Sequence, residues 1–77
     1  MEELLRYLAR SLVAEREEVE VDSVTEEDGT IVLELRVAKD EVGRVIGRGG
    51  HTINALRAVI RAAAVKHEKR VLVDVID

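Results

Sequence analysis

The chain has 77 residues, enough for one domain but close to the lower limit at which a domain buries a useful core. Its hydrophobic fraction of 47% excludes a disordered chain, and the absence of cysteine excludes disulfides and thiolate chemistry. The net charge of −4 hides two unlike halves: residues 1–35 carry three basic and eleven acidic side chains, whereas residues 36–77 carry nine basic and five acidic ones. We therefore predict one domain, over residues 1–77, with a basic surface in its second half.

The first half of the chain has the pattern of one helix and one strand. Four leucines at helical spacing predict an amphipathic helix over about residues 2–14. They are Leu4, Leu5, Leu8 and Leu12. Val19 and Val21 then alternate with acidic residues, as in a half-buried strand. Ser23-Val24 breaks this alternation, which predicts a β-bulge.

A hairpin, two helices and a last strand are predicted next. Asp28-Gly29 is a hairpin signal, and alternating apolar residues predict a second strand over about residues 31–37. Asp40 is a suitable N-cap for a short helix that Gly47 ends. The apolar spacing predicts a longer helix over about residues 51–67, and alternating valines predict a third strand over 71–75.

The predicted order is α-β-β-α-α-β, an α+β fold. A tight turn makes the first two strands antiparallel neighbours. A helical crossover of about thirty residues joins the second and third strands, which favours a parallel pair with a right-handed connection. We therefore expect a three-stranded mixed sheet with three helices packed on one face and the other face open.

The loop Gly47-Arg48-Gly49-Gly50 joins the two later helices. Glycine permits backbone angles that strain other residues, and it lacks the Cβ that would hold a ligand away. The next helix begins at about His51 or Thr52, so its free N–H groups should point into the same space, where Arg48 adds a cation. These features fit a turn that contacts phosphate, although a purely steric turn is the alternative. The glycine spacing and the absence of a preceding strand exclude a Walker loop and a dinucleotide loop.

The residues around this loop resemble a known signature. Val45-Ile46-Gly47-Arg48-Gly49-Gly50-His51-Thr52-Ile53 resembles the KH-domain core, Ile-Gly-x-x-Gly-x-x-Ile. The element order is similar to the type II KH arrangement, and the short chain, covered over its whole length, resembles the stand-alone bacterial KH proteins of the KhpA type. His51 departs from the Arg or Lys that many such proteins have after the loop, which would weaken phosphate attraction and add pH dependence. The alternative is that His51 simply begins the helix in solvent.

The resemblance implies binding of single-stranded RNA, or of single-stranded DNA, with about four nucleotides held by the loop and an aliphatic groove. The implied binding residues are Arg44, Val45, Ile46, Gly47, Arg48, Gly49, Gly50, His51, Ile53, Arg57, Lys69 and Arg70. Val45, Ile46 and Ile53 should floor the groove, with the second strand and residues 66–70 opposite. Arg57 and Arg61 are expected to form a solvated stripe on one helical face, of which only the edge can contact RNA.

The resemblance also implies partners and a setting. KhpA-like proteins work as homodimers or with a larger KH-containing protein, as RNA chaperones or post-transcriptional regulators in the bacterial cytoplasm. A cytoplasmic location without membrane contact also agrees with Glu2-Glu3 directly after Met1 and with the lack of an apolar run near 20 residues.

The residues also bear on two other function classes. An enzyme is not expected, because His51 and His67 stand apart and no carboxylate–histidine spacing suggests ligands; no catalytic residue, metal or cofactor is predicted. The alternative function is a protein-interaction or dimerisation module whose glycine loop does not bind RNA. Its candidate surfaces are an apolar strip of Val32, Leu72 and Ile76 on the open sheet face, and a smooth helical face of Ala55, Ala58 and Ala62.

The open sheet face is not expected to bind RNA. Its outward positions hold four carboxylates and one arginine, which would repel phosphate, and no ring on which a base stacks. These positions are Glu20, Asp22, Val32, Glu34, Arg36, Leu72, Asp74 and Ile76.

Overall fold

The computed structural model describes residues 1–76, so Asp77, the last residue of the predicted domain, lies outside the described residues. The helices are α1 (Glu2–Arg10), α2 (Val42–Ile46) and α3 (His51–Val65), and the strands are β1 (Glu20–Thr25), β2 (Ile31–Arg36) and β3 (Val71–Val75). The predicted order α-β-β-α-α-β is confirmed. None of the described helices has the length and hydropathy needed to cross a bilayer.

The three strands form one mixed sheet in the order β1-β2-β3, with β1 antiparallel and β3 parallel to β2, as predicted. The bulge predicted at Ser23-Val24 is wrong, because each residue of β1 pairs with one residue of β2 without interruption. Ser23 and Thr25 share the inward face of Val21 but are exposed. This end of β1 therefore extends beyond the cover of the helices, and small polar residues are tolerated there.

The core lies between the helices and one face of the sheet. Leu5 and Ala9 of α1, Leu33 and Leu35 of β2, and Ile60 of α3 have no exposed surface. The apolar residues that alternate with the predicted outward positions are all buried: Val19, Val21, Leu33, Leu35, Val71 and Val73. The period-two alternation therefore identified the covered face of the sheet correctly.

The ends of α1 and α2 differ from the prediction. α1 ends at Arg10 because the Ser11 hydroxyl donates to the Tyr7 carbonyl at 3.0 Å and the Leu12 N–H closes a tighter turn on the Ala9 carbonyl. Asp40, the predicted N-cap of the second helix, lies instead inside a 3-10 turn over Lys39–Glu41 that leads into α2. Among residues 1–76, no side chain caps α2.

The residue that holds this turn in place is Glu41, which is 5% exposed. Its carboxylate accepts hydrogen bonds from the N–H groups of Ala14 and Glu15, at 2.6 and 2.9 Å. These two bonds lower the pKa of Glu41, and the Arg44 guanidinium lies 3.6 Å away. Glu41 therefore ties the segment after α1 to the start of α2, and so fixes the helix that enters the glycine loop.

Candidate nucleic-acid interface

The glycine loop is a tight turn that its own backbone hydrogen bonds close. Gly47, Gly49 and Gly50 have positive φ angles of 77°, 63° and 80°. The Gly50 N–H donates to the Gly47 carbonyl at 3.1 Å, and the His51 N–H donates to the Arg48 carbonyl. Because these internal bonds fix the turn, a ligand would not have to order it.

The loop leaves donors at its tip. The non-helical backbone of Gly47, with φ 77° and ψ 169°, interrupts the hydrogen-bond ladder of α2 before the N–H groups of Arg48 and Gly49. In the described part of the chain, the exposed Arg48 side chain forms no ion pair. The His51 N–H, which was expected to be free, is used inside the turn. The positive end of the 15-residue α3 lies behind this tip. Two backbone donors and one cation are therefore available to a phosphate.

Gly47 and Gly49 have different roles. Gly47 has φ 77° and ψ 169°, a region that only glycine populates, and a Cβ there would lie 2.9 Å from the Thr52 nitrogen. A Cβ on Gly49 would have its nearest neighbour at 3.6 Å, the Cδ2 atom of His51. Gly47 is therefore required for α2 to meet α3, whereas Gly49 keeps the outer surface of the loop open.

The aliphatic residues predicted to floor the groove are mostly below the surface. Val45 has no exposed surface and Ile53 is 5% exposed, whereas Ile46 is 37% exposed. Val45 therefore packs the loop onto the core and cannot contact a ligand, and Ile53 presents only a small patch. Ile46 is the aliphatic side chain of the three that a base can cover.

The strand across from α3 is β3. The Ile31 N–H donates to the Arg70 carbonyl and the Ile76 N–H donates to the Leu35 carbonyl. On the β3 side, the even-numbered residues of 70–76 therefore form the hydrogen bonds to β2. In a parallel pair, the odd-numbered residues of 71–75 then direct their backbone groups to the free edge. The prediction that the second strand lies opposite the helix is wrong, because β2 is the central strand of the sheet.

Arg57 bridges α3 and this free edge. Its guanidinium donates to the Val73 carbonyl from Nε at 3.2 Å and from Nη2 at 3.1 Å. Arg57 is half-buried, so its expected place in a solvated stripe is wrong, whereas Arg61 one turn later is exposed. The two arginines and residues 71–74 line a shallow groove of about 300 Å³.

The other predicted cations lie at the two ends of α3. Arg44 is near the loop and faces Glu41. Lys69 and Arg70 follow the far end of α3 and share a depression with Glu68 and the turn at residues 28–30. A helix of 15 residues is about 22 Å long, so these two cations are separated from the loop by about that distance. Arg57 lies between the two ends.

A cluster of three carboxylates lies elsewhere. Oxygens of Glu15, Asp40 and Glu41 are within 4.8 Å of one another. Both oxygens of Glu41 already accept backbone hydrogen bonds, and the charge of Asp40 is the main cause of the raised pKa of Glu15. The three carboxylates therefore repel one another, and the fold tolerates this repulsion. The sequence pattern did not indicate the cluster, because Glu15 is distant in the chain from Asp40 and Glu41.

A helix, a Gly-x-x-Gly loop and a second helix, packed on a three-stranded mixed sheet in the order α-β-β-α-α-β, define a KH domain of type II. The chain belongs to the KhpA/KhpB KH-domain family, whose sequence profile matches residues 2–75. It is 50% identical over 76 residues to the RNA-binding protein KhpA of Clostridium acetobutylicum, covering 99% of this chain and 100% of the relative.

Other relatives match over nearly the same length. The RNA-binding protein KhpA of Clostridium perfringens is 43% identical over 76 residues, which cover 99% of this chain and 100% of the relative. That of Borreliella burgdorferi is 39% identical over 75 residues, covering 97% of this chain and 90% of the relative. The family resemblance read from the loop and the element order is thereby confirmed.

Proposed function

We propose that this protein binds single-stranded RNA along the groove between α3 and β3, with the glycine loop at one end, and that it acts as a binding protein and not as an enzyme. The observation that carries the proposal is the loop tip. The N–H groups of Arg48 and Gly49, the Arg48 guanidinium and the positive end of α3 share one small surface. The names of the relatives, RNA-binding protein KhpA, support the same ligand.

In the proposed complex, the loop holds phosphates and the groove holds bases. Ile46 offers the bases an aliphatic surface, and the free edge of β3 offers backbone N–H and C=O groups to base edges. Arg57 contacts the middle of the bound RNA strand, and Lys69 and Arg70 contact the end of the RNA that lies away from the loop. Two or three engaged cations predict a log–log salt dependence with a slope of about −1.4 to −2.

We also propose that the protein is one domain that works as an RNA chaperone or post-transcriptional regulator in the cytoplasm. Its proposed protein partner is a second copy or a larger KH-containing protein. An apolar groove of about 270 Å³ between α1 and α3 supports such a contact; Leu8, Leu12, Ala55 and Val59 are among its lining residues. One site with few contacts should bind at roughly micromolar affinity, and a linked second site would raise it through effective concentration.

The loop is tested by the double variant Arg48→Asp, Gly49→Asp. We expect at least about tenfold weaker binding of a fluorescein-labelled single-stranded RNA, because two carboxylates replace a cation beside the bound phosphates. Asp fits at residue 49, since a Cβ there meets only the His51 ring and Asp tolerates positive φ. Fluorescence anisotropy at two salt concentrations measures the affinity, and a single-stranded DNA of the same sequence is titrated alongside.

The matched control is Arg10→Asp, Arg16→Gln, which changes the net charge equally at two exposed positions that belong to neither the loop nor the groove. It should bind RNA within about twofold of the unmodified protein, and circular dichroism should show both variants folded. A folded loop variant that binds as tightly as the unmodified protein would reject the proposal, and the loop would then be a turn only.

Arg57 is tested by Arg57→Met, which removes the guanidinium and keeps an apolar stem. We expect about tenfold weaker RNA binding and a salt slope shallower by about 0.7, as for the loss of one phosphate contact. The control is Arg61→Met, which removes the same charge one turn away without breaking the bonds to Val73. Equal losses in the two variants would show a general charge effect and no particular role for Arg57.

A further inference from the structure

The sheet face opposite the helices has an apolar row that no part of the described chain covers. The strand pairing places Val24, Val32 and Leu72 side by side across all three strands. Val24 is 47% exposed and Leu72 is 43% exposed. A single exposed aliphatic residue is ordinary on a protein surface, but an aligned row of three across a sheet is a contiguous patch.

The neighbouring row on the same face is acidic. Asp22, Glu34 and Asp74 are cross-strand partners, two residues along each strand from the apolar row. Like charges directly opposite one another destabilise a sheet. Arg36 offsets part of this repulsion through an ion pair with Asp22 at 2.8 Å. Two carboxylates of the row remain without such a partner among residues 1–76, so the row is unfavourable for folding and available to an external cation.

The charges of this face decide which partner fits. Three aligned carboxylates repel the phosphates of RNA and the headgroups of an anionic membrane, and they repel the same face of a second copy. A cation alone would leave the apolar row uncovered. The complementary partner therefore combines positive charge with aliphatic side chains.

The spacing of the rows adds a geometric condition. Residues two apart on a strand are about 6.5 to 7 Å apart and point to the same side. An extended segment has the same period, so an aliphatic residue and a Lys or Arg two positions later would lie over the apolar row and the acidic row, respectively. A segment with these residues one position apart would point one of them away.

We propose that the open sheet face is a docking surface for an extended, basic segment of another polypeptide, with an aliphatic residue and a Lys or Arg two positions apart. This function goes beyond RNA binding and uses a different face of the domain. The two surfaces meet at β3, because Leu72 and Asp74 also line the groove beside Arg57. Variants that test docking are therefore placed on β1 and β2.

The probe is a fluorescein-labelled peptide, Leu-Ser-Lys-Ser-Leu-Ser-Lys-Ser, titrated into the full chain. Its comparison peptide, Leu-Lys-Ser-Ser-Leu-Lys-Ser-Ser, has the same composition but separates Leu and Lys by one position. We expect the first peptide to bind about fivefold more tightly than the comparison peptide. In NMR spectra of the protein, the chemical-shift changes caused by the first peptide should fall on outward residues of the sheet. The variant Asp22→Asn, Glu34→Gln should weaken it by about fivefold, as for two exposed charge pairs.

The matched control is Glu2→Gln, Glu3→Gln, which removes the same charge from exposed positions of α1 and should leave the affinity unchanged. Equal weakening by this control, equal binding of the two peptides, equal competition by spermine, or no binding at millimolar peptide would each overturn the proposal. RNA affinity should be unchanged in the Asp22→Asn, Glu34→Gln variant. If the unmodified protein did not bind RNA, the proposed function would be refuted. The result of the peptide titration would still stand, because it does not depend on RNA binding.

Discussion

Replacing Gly47 with alanine is expected to destabilise the domain by about 3 kcal/mol and to abolish RNA binding by the molecules that remain folded. The backbone of Gly47 lies in a region of φ and ψ that only glycine populates. A Cβ would also approach the Thr52 nitrogen to 2.9 Å, so the start of α3 would have to move away from α2. Both effects change the turn that presents the N–H groups of Arg48 and Gly49.

Urea denaturation of Gly47→Ala and two other glycine variants measures this effect. Gly43 lies in α2 and a Cβ there meets no atom within 4 Å, so Gly43→Ala should raise the free energy of unfolding by about 0.5 to 1 kcal/mol. Gly49→Ala has positive φ but free space, and should cost about 1 to 2 kcal/mol. If Gly47→Ala is no less stable than Gly49→Ala, the close approach of α2 and α3 does not depend on glycine.

Replacing Glu41 with alanine is expected to lower the Tm by about 10 °C near neutral pH. The change leaves the N–H groups of Ala14 and Glu15 without their acceptor and frees the segment after α1 from the start of α2. Because those bonds lower the pKa of Glu41 in the folded protein, its stabilising contribution is present above the pKa of an unfolded glutamate, about 4.3. The contribution is lost as the pH falls through the lower folded pKa. Thermal melts at pH 7 and at acidic pH should therefore show a smaller difference between variant and unmodified protein in acid.

Two neighbouring variants separate the causes. Glu41→Gln keeps one carbonyl acceptor without the charge, and its Tm should lie between those of the alanine variant and the unmodified protein. Asp40→Asn should raise the Tm at pH 7, because the charge of Asp40 raises the pKa of Glu15 and so opposes its ionisation in the folded state. That gain should disappear in acid, where Glu15 is protonated. A Glu41→Ala protein with an unchanged Tm at both pH values would contradict the role assigned to Glu41.

The order of the elements could be predicted because it depends on local pattern. The alternation of β1, β2 and β3 and the Asp28-Gly29 turn are visible within a few residues of sequence. The predicted N-cap at Asp40 and the predicted bulge at Ser23-Val24 were wrong for different reasons. At Asp40 a short-range signal was outweighed by bonds that span 26 and 27 residues at Glu41. At Ser23-Val24 the polar residue on the inward face lies at an exposed end of β1, so the regular hairpin pairing continues without a bulge.

The site could be predicted only in part. The loop is a contiguous motif, so residues 47–50 were found, and their role in binding remains a prediction. The predicted strand pairing already left β2 in the centre of the sheet and β3 at its edge, and the choice of β2 as the strand facing α3 did not use this order. The bond from Arg57 to the Val73 carbonyl spans 16 residues. The signal for this bond was the predicted parallel β2–β3 pair with β3 at the sheet edge. An edge strand has free carbonyls, and an arginine on the adjacent helix can donate to one of them.

The position of Arg57 has a consequence for the solubility of the protein. β3 is a short valine-rich strand at the edge of the sheet, and an open edge of this composition is a template for strand addition by other molecules. The two bonds from Arg57 occupy the Val73 carbonyl in the middle of that edge. The same side chain that meets RNA in the proposed complex therefore also protects the unbound protein against edge-to-edge aggregation.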